Sequence, residues 1–143
     1  MIETNLTGAF RVARAASRAM AGAGHGGSII NIASILAFRV AKQVAAYATA
    51  KAALVQLTQS LALELAAKQI RVNALAPGYV VTDLNREFLA SAAGEAMVKR
   101  VPMRRFGAAS DLDGALLLLA SDAGRYMTGA TIVVDGGHGL AWL

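Results

Sequence analysis

The chain has 143 residues, 56% of them hydrophobic, with mean hydropathy +0.49; a disordered, collagen-like or mucin-like polymer lacks the apolar surface for such values. There is no cysteine, and His25 and His138 stand at opposite ends, so disulfides, iron–sulfur clusters and thiolate zinc sites are excluded and no metal site is expected. A net charge of +5, from 14 Lys and Arg against 9 Asp and Glu, raises nucleic acid as a partner, but the cations are dispersed without interleaved aromatics for base stacking, and none is expected.

Residues 1 to about 22 read as a helix, with Ala9, Val12, Ala13, Ala16, Ala19 and Met20 on one stripe and a glycine-rich run from Gly22 ending it. Arg11, Arg14 and Arg18 recur on it at the spacing of a solvated face. Ser28 to Ala33 is short, β-branched and almost wholly apolar, as suits a parallel strand buried on both faces. Ser34 to Lys42 is a loop, and Val44 to about Ala67 a long helix rich in Ala and Leu. A second buried strand runs from Ile70 to Ala76 and closes on Pro77-Gly78. Thr82 to Arg105 is weakly periodic, one or two short helices over a surface. Ser110-Asp111-Leu112-Asp113 reads as a capping box for a helix that continues to Ala120. A third strand spans Ala130 to Val134 and ends at Asp135-Gly136-Gly137.

This alternation of helix and strand predicts a parallel sheet with helices on both faces. The longest apolar run, Ala115 to Ala120, is far short of the roughly 20 residues of a membrane span. No export signal is visible. The expectation is therefore no membrane and a cytoplasmic location.

Tyr47 and Lys51, four apart, share one helical face. A free phenol titrates near about 10, too high for efficient proton transfer at neutral pH, and a neighbouring ammonium favours the phenolate. Ser34 stands at the carboxyl end of the preceding strand, where ligands bind in open α/β sheets. Taken alone, it reads equally as a serine capping its own turn. Pro77-Gly78 brings a second loop to the same edge.

With these stretches in view, the chain resembles the carboxyl-terminal part of a short-chain dehydrogenase/reductase. The matching segments are NLTGAF at 5–10, GGSIINIAS at 26–34, YATAK at 47–51, RVNALAPGYVVTD at 71–83 and TGATIVVDGG at 128–137, in family order and spacing. The resemblance implies an α/β fold: a partial Rossmann-like doubly wound parallel sheet, its last three strands with flanking helices. Residues 1–143 would then be the catalytic part of a single domain. It implies an NAD(P)-dependent oxidoreductase acting on an alcohol or carbonyl substrate, with NAD or NADP as cofactor. Asn5, Ser34, Tyr47 and Lys51 correspond to the catalytic tetrad. Tyr47 would be the general acid or base, Ser34 would hold the substrate oxygen, Lys51 would assist Tyr47 and bind the nicotinamide ribose, and Asn5 would fix a relay water. Pro77, Gly78, Val80 and Thr82 would meet the nicotinamide end of the cofactor. Leu84 to Arg105 would be a substrate lid, with Arg104 and Arg105 either meeting an anionic substrate or lying on the surface.

The family's glycine-rich phosphate-binding turn, Gly-x-x-x-Gly-x-Gly after a strand, is not in this sequence. The adenine and pyrophosphate half of the cofactor site is therefore expected outside it, and weak NAD(P) affinity is expected of these residues alone. The first strand is expected to present an unpaired apolar edge. The resemblance also implies a homo-oligomer, dimer or tetramer, in the full-length form, through the helices at 1–22 and 44–67. A catalytically inactive fragment serving only as an oligomerisation or interaction piece is the alternative.

Overall fold

Ile70–Pro77 forms the centre of the molecule because it is apolar on both faces: Val72, Ala74 and Ala76 have no exposed surface. The computed structural model describes residues 1–140. In it β1 (Gly27–Ile32), β2 (Ile70–Pro77) and β3 (Thr131–Val134) form a parallel sheet in the order β1-β2-β3. Gly27 lies opposite Ile70 and Ile32 opposite Leu75, while Ala74 faces Thr131 and Pro77 faces Val134. The carboxyl ends of the strands thus share one edge.

Helices α1 (Ala9–Ala23) and α2 (Ala45–Leu65) cover one face, where Ala13, Ile29, Leu61, Ala62, Leu65, Ile70 and Val72 pack together. Short helices α3 (Arg86–Leu89) and α4 (Ala92–Val98) follow β2. The opposite face carries α5 (Asp113–Ala120), whose Leu119 is fully buried and whose Leu119 carbonyl accepts a bond from Ser28 Oγ at 2.9 Å. Ile29 and Ser28 are successive strand residues and so point to opposite faces. The sheet is covered on both sides, as the alternation predicts.

Between β2 and β3 the connection is fixed by one buried side chain. Asn73 has no exposed surface; its Nδ2 donates to the Met127 carbonyl (2.8 Å) and its Oδ1 accepts from the Ala130 amide (3.0 Å). Thr128 Oγ1 adds a bond from the Val72 amide at 3.1 Å. A second buried polar pair joins sheet to helix: Asn31 Nδ2 donates to Thr58 Oγ1 (2.9 Å), which itself donates to the Leu54 carbonyl.

Three local expectations need correction. The first helix is not α-helical throughout: Glu3–Gly8 is a π-helical segment, and α1 begins at Ala9 and ends on Gly24, at φ 76°. Of its expected apolar stripe only Ala13 is buried, joined by Ser17, while Val12 is 69% exposed because the stripe borders a groove. Ser110 is not the cap of the α5 region. A 3-10 turn at Ala109–Leu112 precedes α5, and the Asp111 carboxylate accepts the Ala108 amide at 2.7 Å, so capping occurs two residues earlier.

Candidate active site

The long helix α2 starts beside the carboxyl end of β1, which fixes the first site pair. Tyr47 lies in its first turn and Lys51 one turn later, with Lys51 Nζ 5.6 Å from the centre of the Tyr47 ring. The Lys51 ammonium donates to the Ile32 carbonyl at 2.7 Å, anchoring it to the last residue of β1. Lys51 is 9% exposed, and burial away from water pushes its ammonium below the usual lysine value of 10.5. A lysine held this way has one donor committed and two left for other oxygen atoms.

Two residues beyond Ile32, Ser34 is buried and opens a 3-10 turn at Ile35–Ala37, its Oγ accepting the Leu36 amide at 3.1 Å. The bland reading of this serine as a cap of its own turn is thus realised. It does not exhaust the hydroxyl, whose proton and second lone pair remain available. The 3-10 turn packs against α2.

Asn5 lies inside the π-helical segment, which also packs on α2. Its side-chain nitrogen donates to the Met1 carbonyl at 3.1 Å and approaches Met1 Sδ at 3.2 Å. Asn5 and Lys51 both line one groove of about 510 Å³ along β1, together with Val12, Ala16, Ile30, Ile32 and Leu54. The structure brings the asparagine to the lysine's groove without bonding the two.

The next strand end is shaped by close packing. Gly78 donates its amide to the Val134 carbonyl at 2.9 Å, and a Cβ placed on it would lie 2.7 Å from Asp135 Cβ. Val80 bridges to Gly107 and lines a separate cavity of about 190 Å³ with Tyr79, Met103, Arg105, Asp111 and Asp135. Thr82 is exposed, and its carbonyl receives the amides of Asn85 and Arg86. Arg105 is held by Asp111 through two bonds of 2.6 and 2.9 Å, which lowers the Asp111 carboxyl to about 2. Arg104 donates to the Lys99 carbonyl. Both arginines are thus engaged by the protein.

Sequence reasoning missed the segment that ties this rim together. Asp135 accepts the amides of Gly137 (2.8 Å) and Gly139 (2.6 Å), Gly136 accepts the Met103 amide, and Arg39 Nε donates to the Gly139 carbonyl at 2.5 Å. The His138 ring packs at a 40° tilt against Tyr79, with the ring centres 5.5 Å apart. One short loop therefore contacts Met103 in the segment after α4, Arg39 in the loop after Ser34 and Tyr79 in the turn after Pro77. The Asp-Gly-Gly run was the available signal, read only as a strand end. Among the described residues no group of His, Cys, Asp and Glu could hold a metal ion, and no helix is long and apolar enough to cross a membrane.

Known proteins share this fold. The family described as enoyl-(acyl carrier protein) reductase matches residues 1–139. The L-rhamnose 1-dehydrogenase (NAD(P)(+)) of Azotobacter vinelandii is 44% identical over 137 residues, which are 95% of this chain and 54% of that enzyme. A 3-oxoacyl-[acyl-carrier-protein] reductase of Escherichia coli is 41% identical over 96% of this chain and 55% of its own length. A short-chain type dehydrogenase/reductase of Mycobacterium ulcerans superposes with a TM-score of 0.93 at 35% identity, covering 98% of this chain and 51% of that one. A gluconate 5-dehydrogenase of Burkholderia cenocepacia, solved with NADP and tartrate, gives a TM-score of 0.91 at 40% identity, covering 96% of this chain and 54% of its own. The chain spans about half the length of the relatives it matches. With a parallel sheet in the same topology and a matching family over nearly all its residues, the chain belongs to the short-chain dehydrogenase/reductase family.

Proposed function

We propose that these residues form the catalytic part of an NAD(P)-dependent oxidoreductase that interconverts an alcohol and a carbonyl. The observation that carries the reading is the Tyr47–Lys51 pair, 5.6 Å apart and fastened by Lys51 to the end of β1, two residues from Ser34. The relatives support the cofactor: one is named for NAD(P)(+) and another was solved with NADP.

The residues fit the nicotinamide end of such a cofactor. Lys51 has two donors left for ribose hydroxyls, Gly78 keeps the turn free of a side chain, and Val80 and Thr82 offer backbone and hydroxyl groups to a carboxamide. NAD(P) supplies the hydride chemistry when bound. In the reducing direction Tyr47 gives its phenolic proton to the oxygen of the substrate, and in the oxidising direction it takes that proton back. Ser34 holds the same oxygen by a hydrogen bond. The positive charge of Lys51 beside the ring stabilises negative charge developing on the tyrosine oxygen. Asn5, in the same groove, holds a water through which Lys51 exchanges protons with solvent. The substrate class follows the relatives: a sugar or sugar acid, or a 3-oxoacyl thioester.

The test is turnover of the chain co-expressed with the unmatched part of the Azotobacter vinelandii enzyme, followed by nicotinamide absorbance with NADH and NADPH against a carbonyl panel. Tyr47→Phe is expected to lower turnover by about 10²–10⁴-fold, the usual contribution of a general acid, with cofactor binding largely retained. Wild-type turnover by Tyr47→Phe would refute the assignment.

A further inference from the structure

Each parallel strand delivers one residue to the same edge of the sheet: Ser34 just beyond β1, Gly78 after β2 and Asp135 after β3. The first two have roles in the proposed reaction, and Asp135 has none. Its carboxylate is nevertheless the centre of a closed turn, with Oδ1 accepting the Gly137 amide at 2.8 Å and Oδ2 the Gly139 amide at 2.6 Å. Such charge-assisted bonds are stronger than neutral ones. The backbone wraps round the carboxylate because Gly136 and Gly137 take φ values of 63° and 83°, in the region that favours glycine. The His138 and Leu140 amides close the turn on the carbonyls of Asp135 and Gly137. Both neighbouring strand ends hang on it. From β2, the Gly78 amide bonds to the Val134 carbonyl and Tyr79 packs on His138. From β1, Arg39 Nε donates to the carbonyl of Gly139, the residue whose amide Asp135 holds. The Arg39 amide in turn bonds to the carbonyl of buried Ile35, inside the turn where Ser34 Oγ accepts the Leu36 amide. Before Ser34, the chain is fixed by the Ala33 amide on the Leu75 carbonyl at 2.8 Å.

We propose that Asp135 is a positioning residue of the site: by clamping the Gly137 and Gly139 amides it holds the Gly139 carbonyl where Arg39 ties down the Ser34 turn, and so fixes the serine hydroxyl relative to the Gly78 turn. Ser34 thus has two attachments, the β1–β2 ladder before it and the Asp135 turn after it. Tyr47 and Lys51 lie outside this path, because Lys51 is fastened to the Ile32 carbonyl. What the positioned hydroxyl does rests on the proposed dehydrogenase reading. Where it is held does not, and the two arms of the test read these apart.

Asp135→Asn keeps the size of the side chain but turns a donor toward one of the two amides. In residue-resolved amide exchange of the chain, it is expected to speed exchange at Gly137 and Gly139 and, at a distance, at Leu36 by at least about fivefold, with Ala33 unchanged. Arg39→Met, a change at an exposed loop residue, cuts the path beyond the turn and carries the test if Asp135→Asn unfolds. It is expected to speed Leu36 alike while Gly137 and Gly139 keep their rates. In the nicotinamide assay used for Tyr47→Phe, each variant is expected to lower kcat at least about tenfold, since misplacing a reacting group by about 1 Å costs on the order of 10²-fold. The double variant should fall no more than about twofold below the weaker single one, because both act along one path, and the pH profile of turnover should keep its shape. A merely structural role predicts the contrary: wild-type exchange at Leu36 in folded molecules and losses that multiply in the double variant. Either result would overturn the proposal. Absence of turnover by the wild type counts against the dehydrogenase reading alone, and Leu36 exchange then decides the positioning.

Discussion

Replacing Asn73 by Ala tests how the β2–β3 connection is held. The side chain is fully buried and makes two bonds, to the Met127 carbonyl at 2.8 Å and from the Ala130 amide at 3.0 Å. Truncation leaves the Ala130 amide without a partner and the Met127 carbonyl with only a long 3.5 Å bond from Arg71 Nη1, and an orphaned buried group costs about 1–3 kcal/mol. Together with the small cavity left behind, the expected loss is about 2–5 kcal/mol, a large share of the roughly 5–15 kcal/mol of a typical domain. Asn73→Asp isolates one of the two bonds: it keeps an acceptor for the Ala130 amide but turns a carboxylate oxygen toward the Met127 carbonyl. It is expected to be no better than Asn73→Ala at neutral pH, because an acceptor–acceptor contact replaces a bond and a charge is buried. Urea unfolding, followed by circular dichroism with the slope checked for constancy, measures both variants. A loss below about 1 kcal/mol for Asn73→Ala, within the range of a simple net hydrogen bond, would show that the connection is held by packing and not by this clamp.

Three further outcomes are expected. Gly78→Ala forces a Cβ to within 2.7 Å of Asp135 and should cost about 1–3 kcal/mol by overpacking, whereas Gly114→Ala, with nothing within 4 Å, should be neutral or slightly stabilising; denaturation midpoints compare them. The Asp111 carboxyl, held at about 2 by Arg105 against an ordinary 3.8, contributes stability above the ordinary value that disappears as pH falls through about 2. Asp111→Asn should flatten the stability profile over that window. For Lys51, burial lowers the folded-state value below 10.5. The unfolded chain therefore binds the proton more tightly there, and wild-type stability should rise relative to Lys51→Met as pH climbs from the folded value to 10.5; parallel pH profiles of the two proteins would contradict this.

What could be read from the sequence was local. The four-residue step from Tyr47 to Lys51 places both on one helix face, and the apolar run at Ile70 to Ala76 predicts a central strand, because each signal is carried by neighbouring residues. The π-helical segment around Asn5 was not legible, since it spans six residues with none buried and is set by backbone i→i+5 bonds that no side-chain pattern marks. The cap at Ala108 was misplaced by two residues because Asp111 is drawn to Arg105 as well as to the backbone. The Asp135 loop stayed hidden because Arg39 and Met103, its partners, lie far from it in sequence. The tight fit of Gly78 against Asp135 is equally non-local.

That last loop has a consequence in time. Arg39 meets the Gly139 carbonyl across 100 residues of chain. At a ribosomal rate of about 5–20 residues per second, the segment after Ser34 waits about 5–20 s for its partner to be made. During that interval Phe38 and Val40, already 53% and 93% exposed in the finished fold, lack the Arg39–Gly139 tether. A chaperone that binds such apolar stretches during synthesis would find its window there, and it would close when the Asp135 turn takes shape.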